Sequence, residues 1–151
     1  MDEYEKLNRI SFISLVMNTK MIEAHDKIKY LGVLINSKKT NDEHIQQRIK
    51  NTIKSLNAIG VLRINDKNLK TKIKVQLYKT NCRPILSYGC EALKINQKDQ
   101  RKLKTIEGTI IKRIMGLGKR AKTTKLLHAL EMETTEMMLL KRKLNFVKRL
   151  M

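Results

Sequence analysis

The chain has 151 residues, enough for one domain or one small domain with an appendage. Hydrophobic residues make up 41% and aromatics 4%, with no Trp, which excludes wholesale disorder and requires an aliphatic core of Ile, Leu and Met. Lys and Arg number 33 against 14 Asp and Glu, a formal net charge of +19; so basic a chain repels itself unless a polyanion is near, and nucleic acid is the expected partner.

Residues 1–17 are compatible with the end of a helix running into a strand, through Ile10, Ile13, Leu15, Val16 and Met17, and Asn18-Thr19-Lys20 reads as a turn. Residues 21–35 carry a strand pair or extended pairing. Ile28, Tyr30, Leu31, Val33, Leu34 and Ile35 are β-branched or apolar enough for a buried strand, with Gly32 at a tight approach. Asn36 to Asp42 is a polar loop ending in helix-capping residues. Residues 1–40 hold seven basic and five acidic side chains and residues 41–151 hold 26 and nine, so the composition shifts near residue 40 and nearly all the excess charge lies beyond it.

The remainder reads as helical, since one Pro and six Gly leave little turn punctuation. A first helix is expected over 42–60, with Ile45, Ile49, Ile53 and Leu56 inward, Lys50 and Lys54 outward and Gly60 as its stop. A second starts near Asp66 and runs to Cys82, with Leu69, Ile73 and Leu77 inward and Lys67, Lys70 and Lys74 along a flank. Arg83 precedes Pro84, so a break is expected there. A short buried helix then runs from Pro84 to Leu93. A fourth spans Gln97 to Leu117 on a stripe of Leu103, Ile106, Ile110, Ile114 and Leu117, with Lys98, Arg101 and Lys112 opposite and Lys104 and Arg113 beside them. Thr123 or Thr124 caps a short helix bearing Leu126, Leu127 and Leu130. Thr134 or Thr135 opens the last, with Met137, Leu140 or Leu144, and Val147 inward.

Little in the sequence supports catalysis. No two of the five aspartates are adjacent and none lies in the strand-turn-strand setting that holds two magnesium ions, and Glu131 with Glu133 reads as a solvated cap region rather than an acid/base pair. No phosphate-binding glycine loop, nucleophile elbow or zinc-protease helix occurs. Cys82 and Cys90 fit neither a zinc pattern nor a disulfide framework and read as small buried hydrophobes, while His25, His44 and His128 are far apart; no metal or cofactor is expected. The opening residues look unlike a signal peptide, and no apolar run approaches the ~18 residues that span a bilayer. A soluble intracellular chain, nuclear or cytoplasmic, is therefore expected, with no membrane and no small-molecule substrate.

What the sequence does carry is cationic faces on a helical scaffold. The candidate nucleic-acid-binding residues are Lys50, Lys54, Lys70, Lys74, Arg101, Lys112, Arg113, Lys119, Arg120 and Lys122. The densest group follows a glycine-rich helix end, where backbone can approach a phosphate chain. Such contacts give sequence-independent, salt-sensitive affinity. Base reading is disfavoured, because few aromatics exist to stack on bases. A second basic tract, Lys141-Arg142-Lys143 with Lys148-Arg149, fits nuclear import or plain solvation equally.

Four segments, in order, resemble the region past the catalytic palm in reverse transcriptases of non-LTR (LINE-type) retrotransposons. Asn18-Thr19-Lys20 resembles the Asn-x-x-Lys turn at the palm end, with Met21-Ile22 where a lysine-threonine pair is usual. Ile28-Lys29-Tyr30-Leu31-Gly32 resembles the aromatic-Lys-Tyr-Leu-Gly hairpin, with Ile28 in the aromatic's place. Arg83-Pro84-Ile85-Leu86-Ser87-Tyr88-Gly89-Cys90-Glu91 is similar to the Arg-Pro-x-Leu-x-Tyr-Gly-x-Glu segment of the thumb. Leu103, Glu107 and Lys112-Arg113-Ile114-Met115-Gly116 are similar to the run that follows. The resemblance implies a mainly α fold, a helical thumb-like bundle with a short N-terminal β-hairpin or strand element. Residues 1–40 would be a palm-end remnant and 41–151 a basic thumb-like domain. Tyr30, Leu31 and Gly32 would form a primer grip, and the partner would be an RNA–DNA or DNA duplex held by its backbone. The palm aspartates are absent, so this chain alone is not expected to synthesise DNA unless a separate palm-bearing chain supplies them. The competing reading is a non-catalytic helical interaction protein or a non-functional retroelement remnant.

Overall fold

The computed structural model describes residues 25–61, 64, 66 and 68–151, and the backbone of 15–17 and 20–22. The helix end expected before residue 15, the turn at Asn18-Thr19 and the place of Lys67 lie outside the described residues. The chain is mainly α-helical with short antiparallel β pairs on its N-terminal side.

Strand β1 (Leu15–Met17) pairs with β2 (Lys20–Ile22), Met17 facing Lys20. Strand β3 (Lys27–Tyr30) pairs with β4 (Val33–Asn36), Tyr30 facing Val33. Of the strand pair expected within 21–35, the structure makes a hairpin over 27–36, because Leu31 and Gly32 both have positive φ, +45° and +80°. A two-residue turn of that hand matches the twist of the flanking strands and reverses the chain. Nor is the hairpin buried: Ile28, Tyr30, Leu31 and Ile35 are 51–74% exposed.

Helix α1 spans Asp42–Gly60, as expected. Asn41 precedes it but does not cap it; its side-chain amide donates to the Lys94 carbonyl and to Asp99 Oδ2, at 2.8 and 2.9 Å. The buried face is His44, Ile45, Arg48, Thr52, Leu56 and Ile59, so Ile53 lies outside. Successive steps of four drift by about 40° each, and two of them carry Ile53 off the face that Ile45 begins. Gly60 does not stop the helix by a left-handed turn; Val61 after it is still right-handed.

Helix α2 (Thr71–Leu77) begins later than expected, because Asp66 accepts from the Asn68 N–H and holds a turn. It runs without a break through a π-helical turn (Tyr78–Cys82) into α3 (Arg83–Ser87), so the break expected before Pro84 does not occur. A wider turn loosens carbonyls, and local side chains take them up. Thr80 Oγ1 donates to the Gln76 carbonyl, Asn81 Nδ2 to that of Leu77, and Ser55 Oγ from α1 to that of Asn81. The inner face is Lys74, Val75, Tyr78 and Cys82, with Leu77 partly buried against the same cluster as expected, while Ile73 is exposed and Leu69 lies before the helix. Helix α3 ends at Ser87, short of Leu93, because Tyr88 is extended and Gly89 left-handed, at φ +79°.

Helix α4 (Gln97–Ile114) opens on a capping box of Asn96 and Asp99 and ends before Leu117, which is exposed. Helix α5 (Thr123–Ala129) has Lys122 at its N-cap, not a threonine. Helix α6 (Thr135–Leu150) is capped by Thr134, whose hydroxyl accepts from the Met137 N–H. Its buried residues are Thr135, Met138 and Leu139; Met137, Leu140, Leu144 and Val147 face outward, contrary to expectation.

Two apolar clusters make the core. One gathers Leu56, Ile59, Ile64, Val75, Tyr78, Ile110, Ile111, Ile114 and Leu127; the other Ile45, Leu86, Leu103, Met138 and Leu139. A buried polar junction ties the helices together. Glu107 of α4, wholly buried, accepts from Arg83 Nε at 2.8 Å, Tyr78 Oη at 3.1 Å and Thr135 Oγ1 at 2.5 Å. The ion pair and two hydroxyl donors satisfy a carboxylate that would otherwise be costly to bury. Burial, with the Glu107 charge beside it, pushes the Tyr78 hydroxyl well above its usual range, so it remains a donor.

Candidate nucleic-acid interface

The cationic candidates separate into one cluster of five, four exposed residues at three other places, and one buried residue that does not belong. The cluster forms where α4 ends. Lys112 and Arg113 lie in its last turn, where cations complement the negative end of the helix. The chain leaves through Gly116 at φ +66°, with the Gly116 and Leu117 N–H groups bonded back to the Arg113 and Lys112 carbonyls at 3.1 and 2.8 Å. The following loop doubles back, and Lys112 Nζ donates to the Lys119 carbonyl at 3.1 Å. That bond holds the Lys119 backbone against the Lys112 side chain, and Arg120 and Lys122 follow in the same loop. All but Lys112 are exposed, and among the described residues none of the five is ion-paired.

Lys50 and Lys54 stand exposed one turn apart on α1. Arg101 is exposed on α4, about 20° around the axis from Lys112 and roughly 16 Å along it, so the two share one face. Other cations of the same helix are already ion-paired: Lys102 and Lys98 share Asp42, at 2.7 and 3.6 Å, and Lys104 meets Glu136 at 2.9 Å. Lys70 is exposed just before α2. Lys74 is a correction. It is 6% exposed, and its amino group points at the Ile114 carbonyl, 3.5 Å away, at the end of α4. It supports the cluster from inside and is not available to a phosphate.

The second place is the hairpin tip. Tyr30 and Leu31 are 65 and 74% exposed, and the strained Leu31 backbone is held from the helical body. Tyr88 Oη donates to the Leu31 carbonyl at 2.9 Å, and Arg48 Nη2 to the Gly32 carbonyl at 3.1 Å. The Arg48 guanidinium lies 5.1 Å from the Tyr88 ring centroid, a cation–π distance. His44 completes the clip: its Nδ1 accepts from the Leu34 N–H at 3.3 Å and its Nε2 donates to the Tyr88 carbonyl at 2.9 Å. Both ring nitrogens are thereby committed to the neutral form, and burial holds the His44 pKa below its ordinary value. Gly89 makes the joint possible, since a Cβ there would meet Val33 Cγ2 at 2.8 Å and the His44 ring at 3.1 Å. The Tyr30-Leu31-Gly32 and Arg83-to-Glu91 segments, far apart in the chain, are thus in direct contact.

Sequence reasoning missed the clip and the Glu107 junction. The signal for the clip was a polar pair, His44 and Arg48, four apart on the face of the helix that also carries Ile45, Leu56 and Ile59. The rest of the chemistry is structural. Burial pushes the Cys82 thiol up and the Cys90 thiol up to about 12, so neither is a nucleophile near neutrality. Among the described residues no group of acids, cysteines and histidines suits a metal ion, and no helix is long and apolar enough to cross a membrane. Comparison with models of known protein families, with curated proteins and with solved structures finds no match.

Proposed function

We propose that this chain grips the sugar–phosphate backbone of a nucleic-acid duplex, as part of a LINE-type reverse transcriptase lineage. The observation that carries this reading is the Lys112–Lys119 bond, which ties the basic loop holding Lys119, Arg120 and Lys122 back to the helix end that bears Lys112 and Arg113, none of the five having a carboxylate partner among the described residues. Unpaired cations on a rigid support lose little by exchanging water for phosphate and release counterions when they do. The clipped hairpin, with Tyr30 and Leu31 projecting, supports a contact with the end of a strand rather than with its middle. The partner is an RNA–DNA or DNA duplex in the nucleus or cytoplasm.

Binding of the purified chain to a labelled RNA–DNA duplex across a salt series tests this. Contacts to about 5 phosphates give a log–log slope near −4.5. The expected result is binding that survives at about 150 mM salt with a slope of that size, and tighter binding to a recessed primer end than to a blunt duplex. Weak binding erased equally by any polyanion would refute the reading.

A further inference from the structure

Helix α6 carries apolar side chains on two opposite sides. The inner side, Thr135, Met138 and Leu139, packs into the core and against α4. The outer side carries Met137, Leu140, Leu144 and Val147, which are 50, 51, 60 and 46% exposed. Their spacing of three, four and three keeps them within an arc of about 80° and a length of about 15 Å. That is the narrow seam by which one helix packs along another, not the wide apolar face of a helix lying in a membrane.

The borders of the seam say what kind of helix. Lys141 and Lys148 lie along one side and Lys143 along the other. Glu136, at the N-terminal end, is already tied to Lys104 at 2.9 Å. Lys141 reaches back to Glu133 at 2.7 Å, while Lys143 and Lys148 are in no ion pair among the described residues. A second copy would set lysine against lysine between two molecules of net charge +19. A phosphate backbone would satisfy the lysines and leave the seam in water. A helix with its own apolar seam and carboxylates on its borders satisfies both.

We propose that the outer seam of α6 docks an amphipathic helix of another protein, one whose three-and-four-spaced apolar stripe is bordered by Asp and Glu. The surface is separate from the cluster at the end of α4 and does not rest on the duplex-binding reading.

The test uses synthetic helical peptides about three heptads long, titrated with the full chain and followed by fluorescence anisotropy. One peptide has a Leu seam and Glu borders, a second the same seam with Lys borders, a third an Ala seam with Glu borders. The expected result at about 150 mM salt is binding of the first in roughly the micromolar range, at least about tenfold tighter than either control. Leu144→Glu should erase the preference for Leu over Ala seams, and Lys143→Glu with Lys148→Glu should reverse the preference for acidic borders. Leu144 is exposed, so circular dichroism should show the variant folded; Leu140→Ser is the second seam variant if it is not. Equal binding of the Leu-seam and Ala-seam acidic peptides would reduce the effect to bulk charge and overturn the proposal. Seam-dependent dimerisation of the chain, or Leu144-dependent binding to anionic vesicles in preference to the peptide, would overturn it in favour of a second copy or a membrane.

Discussion

The Tyr88 hydroxyl and the Leu31 carbonyl, 57 positions apart in the chain, meet at 2.9 Å. Through that bond the turn after α3 fixes the tip of the β3–β4 hairpin, and the close approach of Gly32 to the same ring makes the fit tight. Tyr88→Phe removes one partly exposed hydrogen bond, worth about 0.5–1.5 kcal/mol. Its effect is expected to be local: faster amide exchange over residues 27–36, with the helical amides nearly unchanged. Gly89→Ala is expected to be worse, because a left-handed residue and a 2.8 Å clash with Val33 act together. The backbone term alone costs about 1–2 kcal/mol.

The clip also titrates. Neutral His44 is used at both ring nitrogens, and protonating Nδ1 would turn its acceptor for the Leu34 N–H into a second donor. With the folded pKa below the ordinary value of about 6.5, the unfolded chain takes up a proton that the folded chain refuses. Stability is therefore unaffected by this group above that value and falls as pH drops from it toward the lowered folded pKa. Protection factors of the hairpin amides, which correct for the pH dependence of intrinsic exchange, should fall over the same interval, and His44→Gln should flatten the dependence.

Leu31 is an exposed apolar residue in a left-handed backbone, a conformation that costs a branched side chain about 1–2 kcal/mol. Leu31→Asn is expected to stabilise the chain by about 1 kcal/mol, read as a shift in the denaturation midpoint. If Leu31 contacts a strand end, the same change weakens the preference for a recessed primer while leaving blunt-duplex affinity alone.

Glu107 is the most consequential single side chain of the core. Glu107→Leu leaves Arg83 buried with only Glu133, 3.7 Å away, as a counter-charge. Removing one partner of such a pair costs about 3–5 kcal/mol. Arg83→Met combined with Glu107→Leu should recover most of that loss, since the double change removes both charges. Equilibrium unfolding of the four variants in the cycle gives the coupling directly.

The parts of this fold that are legible in the sequence are those ruled by local pattern. The bounds of α1 follow from the polar loop before it and the apolar spacing within it, and the start of α4 from Asn96 and Asp99. The unbroken passage from α2 into α3 is not legible, because the π turn at Tyr78–Cys82 has carbonyl partners as distant as Ser55. The orientation of α6 is not legible for a different reason. Both of its sides are apolar, and spacing alone does not say which side meets the core. For the candidate interface, composition locates the basic loop, but the bond joining Lys112 to Lys119 is tertiary, and Lys74 shares the spacing of a solvated lysine while lying inside.

Lys74 and Lys119 therefore make the sharpest contrast between a lysine that builds the interface and one that touches the ligand. Lys119→Ala leaves its backbone carbonyl, and so the Lys112 bond, in place. It should lower duplex affinity uniformly across sequences and reduce the magnitude of the salt slope by about 0.9, the value of a single neutralised phosphate, with no change in melting temperature. Lys74→Met keeps the buried stem but removes the amino group at the Ile114 carbonyl, so its effect is expected on stability, a decrease of about 1 kcal/mol, with the slope unchanged once the protein is folded. A slope that fell with Lys74→Met and not with Lys119→Ala would place the phosphate-binding groups somewhere other than the loop after α4.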